Sequence, residues 1–146
     1  MKTVVLITCT KNKHGGTHKA EYLYSKSKNF VKYLDCARAL VEDKDIFVIS
    51  ALHKLVPLDK ELTCYDYTLK GKSKKEKDIW GEEVATQLKE LYDVSKTRFV
   101  IIAEDDYYTP LAPHLPSMDT PLEGVGCGPD GFEQLDAYIK NFTLEH

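Results

Sequence analysis

Near the start of the chain, Thr10, Lys11 and Lys13 are followed at once by Gly15 and Gly16. A hydroxyl, two ammonium groups and backbone N–H groups freed by glycine are a set that can hold a phosphate. The run is not a Walker loop, because GxxxxGK(S/T) is absent. A solvated loop whose lysines bind nothing is the competing reading. A second group follows in VISALHKLVPLD, where Ser50 and His53 stand close behind an apolar run. His53 has the ring for proton transfer, although a lone histidine near a strand end is commonly structural. In Cys64-Tyr65-Asp66-Tyr67, aromatic rings beside a carboxylate suit a nucleobase, with Tyr65 stacking on it and Asp66 accepting its N–H donors. A turn with tyrosines packed on the core is the alternative there. Glu104-Asp105-Asp106 offers carboxylates for a metal or, through Glu104, for activating water; a solvated turn or helix cap is the bland counterpart. Gly124 and Gly126 lie in a glycine-rich stretch that lets backbone approach a ligand, but no dinucleotide fingerprint accompanies them.

The elements that must position these groups are legible as periodic patterns. TVVLITC (3–9), DIFVISA (45–51) and RFVIIA (98–103) are apolar and rich in β-branched residues. Continuous rather than alternating apolarity predicts strands covered on both faces, as in a parallel sheet. Between them, Phe30, Leu34, Ala37 and Val41 repeat at helical spacing over 27–42. Ser73-Lys74-Lys75-Glu76 is a capping box opening a helix with Trp80, Val84, Leu88 and Leu91 on one stripe, and a third helix follows Asp130. The alternation predicts a single three-layer α/β domain over 1–143, with a central, mainly parallel sheet flanked by helices. Ligands of such sheets sit at the carboxyl ends of the strands. The loops carrying Lys11, Ser50 and Glu104 are therefore expected to form one pocket. The connection over 52–70 is far longer than usual, and is expected to be an ordered cover that presents Tyr65. Cys9, at the first strand's end, reads as a small buried residue before it reads as a nucleophile.

Composition narrows the classes. A chain of 146 residues with 42% hydrophobic and 29% charged residues can bury a real core and is not disordered. No apolar run approaches the length of a membrane span, and Lys2 leads directly into TVVLITC without a signal-peptide pattern. Cys9, Cys36, Cys64 and Cys127 stand singly, so a reduced, cytoplasmic chain is expected, with no metal site, no cofactor and no membrane partner. Residues 144–146 read as an expression-tag remnant. The net charge of −3 conceals 16 Lys/Arg against 9 Asp/Glu in residues 1–77, and 4 against 14 in residues 78–146. A basic half suits a phosphate-bearing partner, with solvated helix faces as the alternative. Two arginines, Arg38 and Arg98, are few for reading base edges in a groove. Nothing in the pattern specifies an oligomeric state.

SALHKLVPLDKELTCYDYTLKG, IWGEEVATQL and VIIAEDDYYTPLAP, in that order, resemble the YaaA-like family, a group associated with peroxide stress and DNA binding. Ser50, Pro57-Leu58-Asp59, Tyr65, Leu69, Trp80-Gly81, Leu88, Ala103 and Tyr107 occupy its matching places, and ITCTKNK looks like its first strand and lysine-bearing loop. The likeness runs over roughly residues 4 to 115 and is greatest to the small bacterial and phage single-domain members. His53-Lys54 replaces an aromatic-glycine pair and Asp66 replaces a basic residue. A fainter similarity is to the uracil-DNA-glycosylase-like domain of archaeosine synthase. The resemblance implies binding of nucleic acid or a nucleotide, in DNA repair, oxidative-stress protection or base modification, with Ser50, Tyr65 and Tyr107 at the site. An enzyme that cleaves or exchanges an N-glycosidic bond is the alternative. Asp66 or Glu104 would then be catalytic at the water or sugar, and Lys11 and Lys13 would hold phosphate. A non-catalytic protein-interaction module is the third reading.

Overall fold

The computed structural model describes residues 1–126 and 128–145; Cys127 and His146, named above, lie outside them. In chain order the elements are β1 (Lys2–Thr8), β2 (Thr17–Lys19), α1 (Ala20–Leu23), α2 (Lys28–Leu40), β3 (Ile46–Ser50), β4 (Lys54–Pro57) and β5 (Glu61–Thr63). There follow α3 (Lys74–Leu91), β6 (Thr97–Ile102), α4 (Asp105–Tyr108), β7 (Met118–Asp119) and α5 (Pro129–Glu145). The main sheet has the order β4-β3-β1-β6-β7. β3, β1, β6 and β7 run parallel, and β4 is antiparallel to β3.

The three apolar runs are thus the three inner strands, and they read as continuous because both faces are covered. Val5 and Ile7 point into a core shared with α2 and α5, while Val4 and Leu6 point into one shared with α3 and the 109–114 turn. Both predicted helix starts carry their caps: the Phe30 N–H donates to Ser27 Oγ at 3.3 Å, and the Glu76 N–H donates to Ser73 Oγ at 3.1 Å. On α3, Trp80 is buried and its indole Nε1–H donates to the Ser50 carbonyl at 2.9 Å. Its neighbour Gly81 lets the 109–114 turn come close, since a Cβ there would press into the backbone of Pro110.

The sequence reading differs from the structure over 52–70. This stretch is no single cover: it holds β4 and β5, and β5 pairs antiparallel with β2 as a separate ribbon, Thr17 opposite Thr63. Residues 51–53 close a tight hairpin between β3 and β4, in which Lys54 takes the left-handed conformation at φ 63°. Pro57 sits within edge strand β4, where its missing N–H interrupts no ladder. Short strands of this kind carry little periodicity, and their pairing is supplied by residues distant in the chain.

Candidate functional site

A cleft of about 540 Å³ opens at the carboxyl ends of β1 and β6. The chain leaves β1 through Thr8–Lys13, all of which line it, and leaves β6 into Glu104, Asp106 and Tyr107, which line the opposite side. Ser27, Asn29 and Tyr33 from the start of α2 complete one wall. Asp66, Tyr67, Thr68 and Lys70 come over from the segment ahead of α3. Two of the three strand-end loops therefore meet in one cleft, as the parallel sheet demands.

Of the predicted site residues, Thr10, Lys11, Lys13, Asp66, Glu104 and Tyr107 line this cleft. Ser50, Tyr65 and His53 do not; they form a layer behind Lys13. Ser50 is fully buried, and its hydroxyl lies 2.7 Å from the Tyr65 hydroxyl while accepting the His53 N–H at 2.9 Å. The Tyr65 hydroxyl also lies 2.5 Å from that of Tyr24. The ring of Tyr65 carries the Lys13 ammonium at 4.5 Å from its centroid and the His53 ring edge-on at 4.9 Å. The stacking role expected of Tyr65 therefore has no open face to use. Tyr67, two residues on, is 40% exposed and lines the cleft; Lys72 sits 4.6 Å from its ring centroid. Gly124 and Gly126 are not among the lining residues. They take φ of 85° and 68° in the turn before α5, where the Gly126 carbonyl closes against Gly131. Their backbone freedom is spent on that turn.

The charges on the cleft walls are unequally matched. Asp106 is paired with Lys77 at 2.6 Å, and Glu104 with Lys70 at 3.6 Å. Asp66 forms no ion pair among the described residues. Lys13 is only 8% exposed, yet its ammonium has the Lys11 carbonyl at 3.4 Å, the Tyr65 ring, and no carboxylate among the described residues. A desolvated cation without a counter-ion is costly, and an anion entering the cleft would relieve that cost. Lys11 is exposed at the mouth, and the Thr10 hydroxyl donates to the Asn12 carbonyl at 3.0 Å, holding the loop.

Neutral phenols lie around the cleft, Tyr24 and Tyr65 behind Lys13 and Tyr107 on the opposite wall. Burial pushes Tyr24 up to about 12. Burial, with Cys9 next in effect, also pushes Tyr65 and Tyr107 well above the ordinary phenol value. The Cys9 thiol donates to the Tyr107 hydroxyl at 3.5 Å, which in turn lies 3.4 Å from both Thr68 Oγ1 and the Leu69 N–H. The three phenols stay protonated across neutral pH and act as polar scaffolding. Desolvation, then the nearby Lys54 and Lys60 charges, lowers His53. No cluster of three or more His, Cys, Asp or Glu residues able to hold a metal occurs among the described residues. The Glu104-Asp105-Asp106 run instead opens α4, with the Glu104 carbonyl accepting the Tyr107 and Tyr108 N–H groups at 3.0 and 3.2 Å. No described helix is long and apolar enough to cross a membrane.

Sequence reasoning missed Ser27, Asn29, Tyr33, Tyr67 and Lys70. The available signal for Ser27 and Asn29 was topological: the first helix to cross back over a parallel sheet leaves its N-terminus near the carboxyl ends of the strands. A depression of about 480 Å³ on α3, lined by Lys54, Ile79, Glu82, Glu83, Thr86 and Gln87, is remote from this chemistry, and its Lys54 is already paired with Glu83 at 3.0 Å.

No curated protein and no solved structure matches the chain. Residues 4–137 match the family of unknown function DUF6884, and the chain belongs to that family.

Proposed function

We propose that the cleft binds a nucleotide or nucleic acid through its phosphate, as the resemblance to YaaA-like proteins also implies. The observation that carries this reading is Lys13, a buried cation lining the cleft with no carboxylate partner among the described residues. Thr10 and Lys11 stand beside it on the same wall, and the half-exposed Tyr67 offers a ring for a base. Stacking of a base on an aromatic contributes roughly 1–3 kcal/mol. Tyr67→Ala should therefore weaken binding at least about tenfold, as should Lys11→Ala combined with Lys13→Ala, in calorimetry against a panel of nucleotides and short DNA. Affinities unchanged in both variants would sink the reading. On this reading, a role in DNA repair, oxidative-stress protection or base modification is where such binding would be used.

One observation favours a second reading, hydrolysis of an N-glycosidic bond. Asp66 and Glu104 line the same cleft as the lysines, and Asp66 is free of any ion pair among the described residues. In that chemistry a carboxylate takes a proton from water as the water oxygen bonds to the anomeric carbon, and the base departs with the bond electrons and takes a proton from the carboxylic acid so formed. Chromatographic detection of free base from a nucleotide panel tests it. Binding without release, in wild type and Asp66→Asn alike, leaves the cleft as a binding site only.

A further inference from the structure

The nucleotide reading leaves open which phosphate is held, and the start of α2 bears on that. Ser27 and Asn29 place the N-terminus of this 13-residue helix in the wall of the cleft. A helix N-terminus carries about half a positive charge and N–H groups without intrahelical acceptors. Here the Ser27 hydroxyl accepts the Phe30 N–H, and the Ser27 carbonyl accepts the Val31 N–H at 3.1 Å. The Lys28 and Asn29 N–H groups are left without an acceptor among the described residues. No acidic side chain lies in the first turn of α2, whereas α3 has Glu76 and α5 has Asp130 there.

A helix end alone is not a site. The independent observation is again Lys13, more than nine-tenths buried, lining the same cleft and lacking a carboxylate among the described residues. Two sources of positive potential, one from backbone dipoles and one from a buried lysine whose ammonium meets the Lys11 carbonyl and the Tyr65 ring but no carboxylate among the described residues, thus line one cleft.

We infer that this cleft takes the terminal phosphomonoester of a single nucleotide, held between the α2 N-terminus and Lys13. This rests on the nucleotide reading above and narrows it. The size fits, because about 540 Å³ lies within the range of pockets that enclose one small ligand. The charge layout also fits. The cationic wall belongs to the sheet face covered by α2, and the acidic residues Glu104 and Asp106 lie on the side of α4, with Asp106 tied to α3 through Lys77. A phosphodiester chain crossing the cleft would bring its next phosphate against Glu104 and Asp106, whose lysine partners Lys70 and Lys77 it would have to draw away. A monoester phosphate leaves only the sugar and base to extend there, toward Asp66 and Tyr67.

The test is calorimetric titration of the whole chain with inorganic phosphate, nucleoside 5′-monophosphates, the matching nucleosides, and single-stranded and duplex DNA oligonucleotides. A monophosphate should bind at least about tenfold tighter than its nucleoside, with inorganic phosphate competing. Asn29→Asp places a negative charge in the first helical turn, which favours the helix itself. It should lower monophosphate affinity at least about tenfold, leave nucleoside affinity unchanged, and leave the melting temperature unchanged or raised. Lys13→Met should reproduce the loss of affinity. Monophosphates that bind no tighter than nucleosides, or that ignore Asn29→Asp, overturn the inference. Oligonucleotides that bind in a Lys13-dependent manner while monophosphates do not would overturn it and keep the broader reading. Failure of every nucleotide and oligonucleotide removes both.

Discussion

The two ends of the central sheet treat charge in opposite ways. At the amino end, Asp45 is 7% exposed and accepts from both sides: Lys2 Nζ lies at 2.8 Å, and the Tyr92 hydroxyl donates at 2.9 Å. Nearby, the Thr97 hydroxyl donates to the Asp93 carbonyl at 2.7 Å, and Asp93 caps the following turn through the Ser95 N–H and hydroxyl. Each buried polar group there has a partner inside the protein. At the carboxyl end, Lys13 is buried to the same degree as Asp45 but faces a carbonyl, a ring and an open cleft. Lys77, on α3, shows what a settled lysine looks like: it is paired at 2.6 Å with Asp106, which lines the cleft. The difference is that the buried charge at the amino end has charged and hydroxyl partners inside the protein, whereas the one at the carboxyl end has no carboxylate among the described residues; on the proposed function, that is where a ligand would compensate it.

The sharpest way to break this comparison is to remove one charge from each end. Asp45→Ala strips two partnered groups of their acceptor and should cost about 2 kcal/mol in denaturant unfolding. Lys13→Met, of similar length and apolar, should change stability by less than about 0.5 kcal/mol or raise it, because it removes a buried charge that nothing balances. A Lys13→Met protein destabilised as much as the Asp45 variant would show that both ends are structural.

A smaller effect probes the phenols behind the cleft. Tyr24 titrates at about 12 when folded, against an ordinary value of 10.0. The folded state therefore holds this proton more tightly than the unfolded chain does. That stability is fully present below pH 10 and is lost as pH rises toward 12. Tyr24→Phe should cost about 1 kcal/mol at neutral pH, because Tyr65 keeps Ser50 but loses its second hydroxyl partner. It should also flatten the alkaline decline. Denaturation midpoints measured from pH 8 to 12 for both proteins check this, and parallel curves would refute it.

The least effect belongs to His53, whose folded value lies below the ordinary 6.5 through desolvation and the Lys54 and Lys60 charges. The unfolded chain then takes up the proton first as pH falls, so stability should decline slightly from pH 7 to 5. The ring is exposed and solvent screens much of the effect. His53→Gln should remove that small slope, read as melting temperature against pH; a slope that persists in the variant assigns it to other groups.

Where the signal was local, the amino-acid sequence alone determined the outcome. β1, β3 and β6 follow from unbroken β-branched apolar runs, because strands sandwiched between helical layers need apolar side chains on both faces. The starts of α2 and α3 follow from Ser27 and Ser73, whose hydroxyls satisfy helix N–H groups within three residues. The rim on which Lys11, Lys13 and Glu104 meet follows from strand direction. The tertiary structure alone decided the rest, through contacts between distant parts of the chain. Tyr65 and Tyr67 are near-identical in sequence context, but Tyr65 is turned inward by Tyr24, 41 residues away, leaving Tyr67 to the cleft. Ser50 is sealed beneath it, and β2 and β5 become strands only by finding one another. Periodicity records which face of an element is apolar; it does not record which distant partner meets that face, and here that partner decides which polar groups remain open to a ligand.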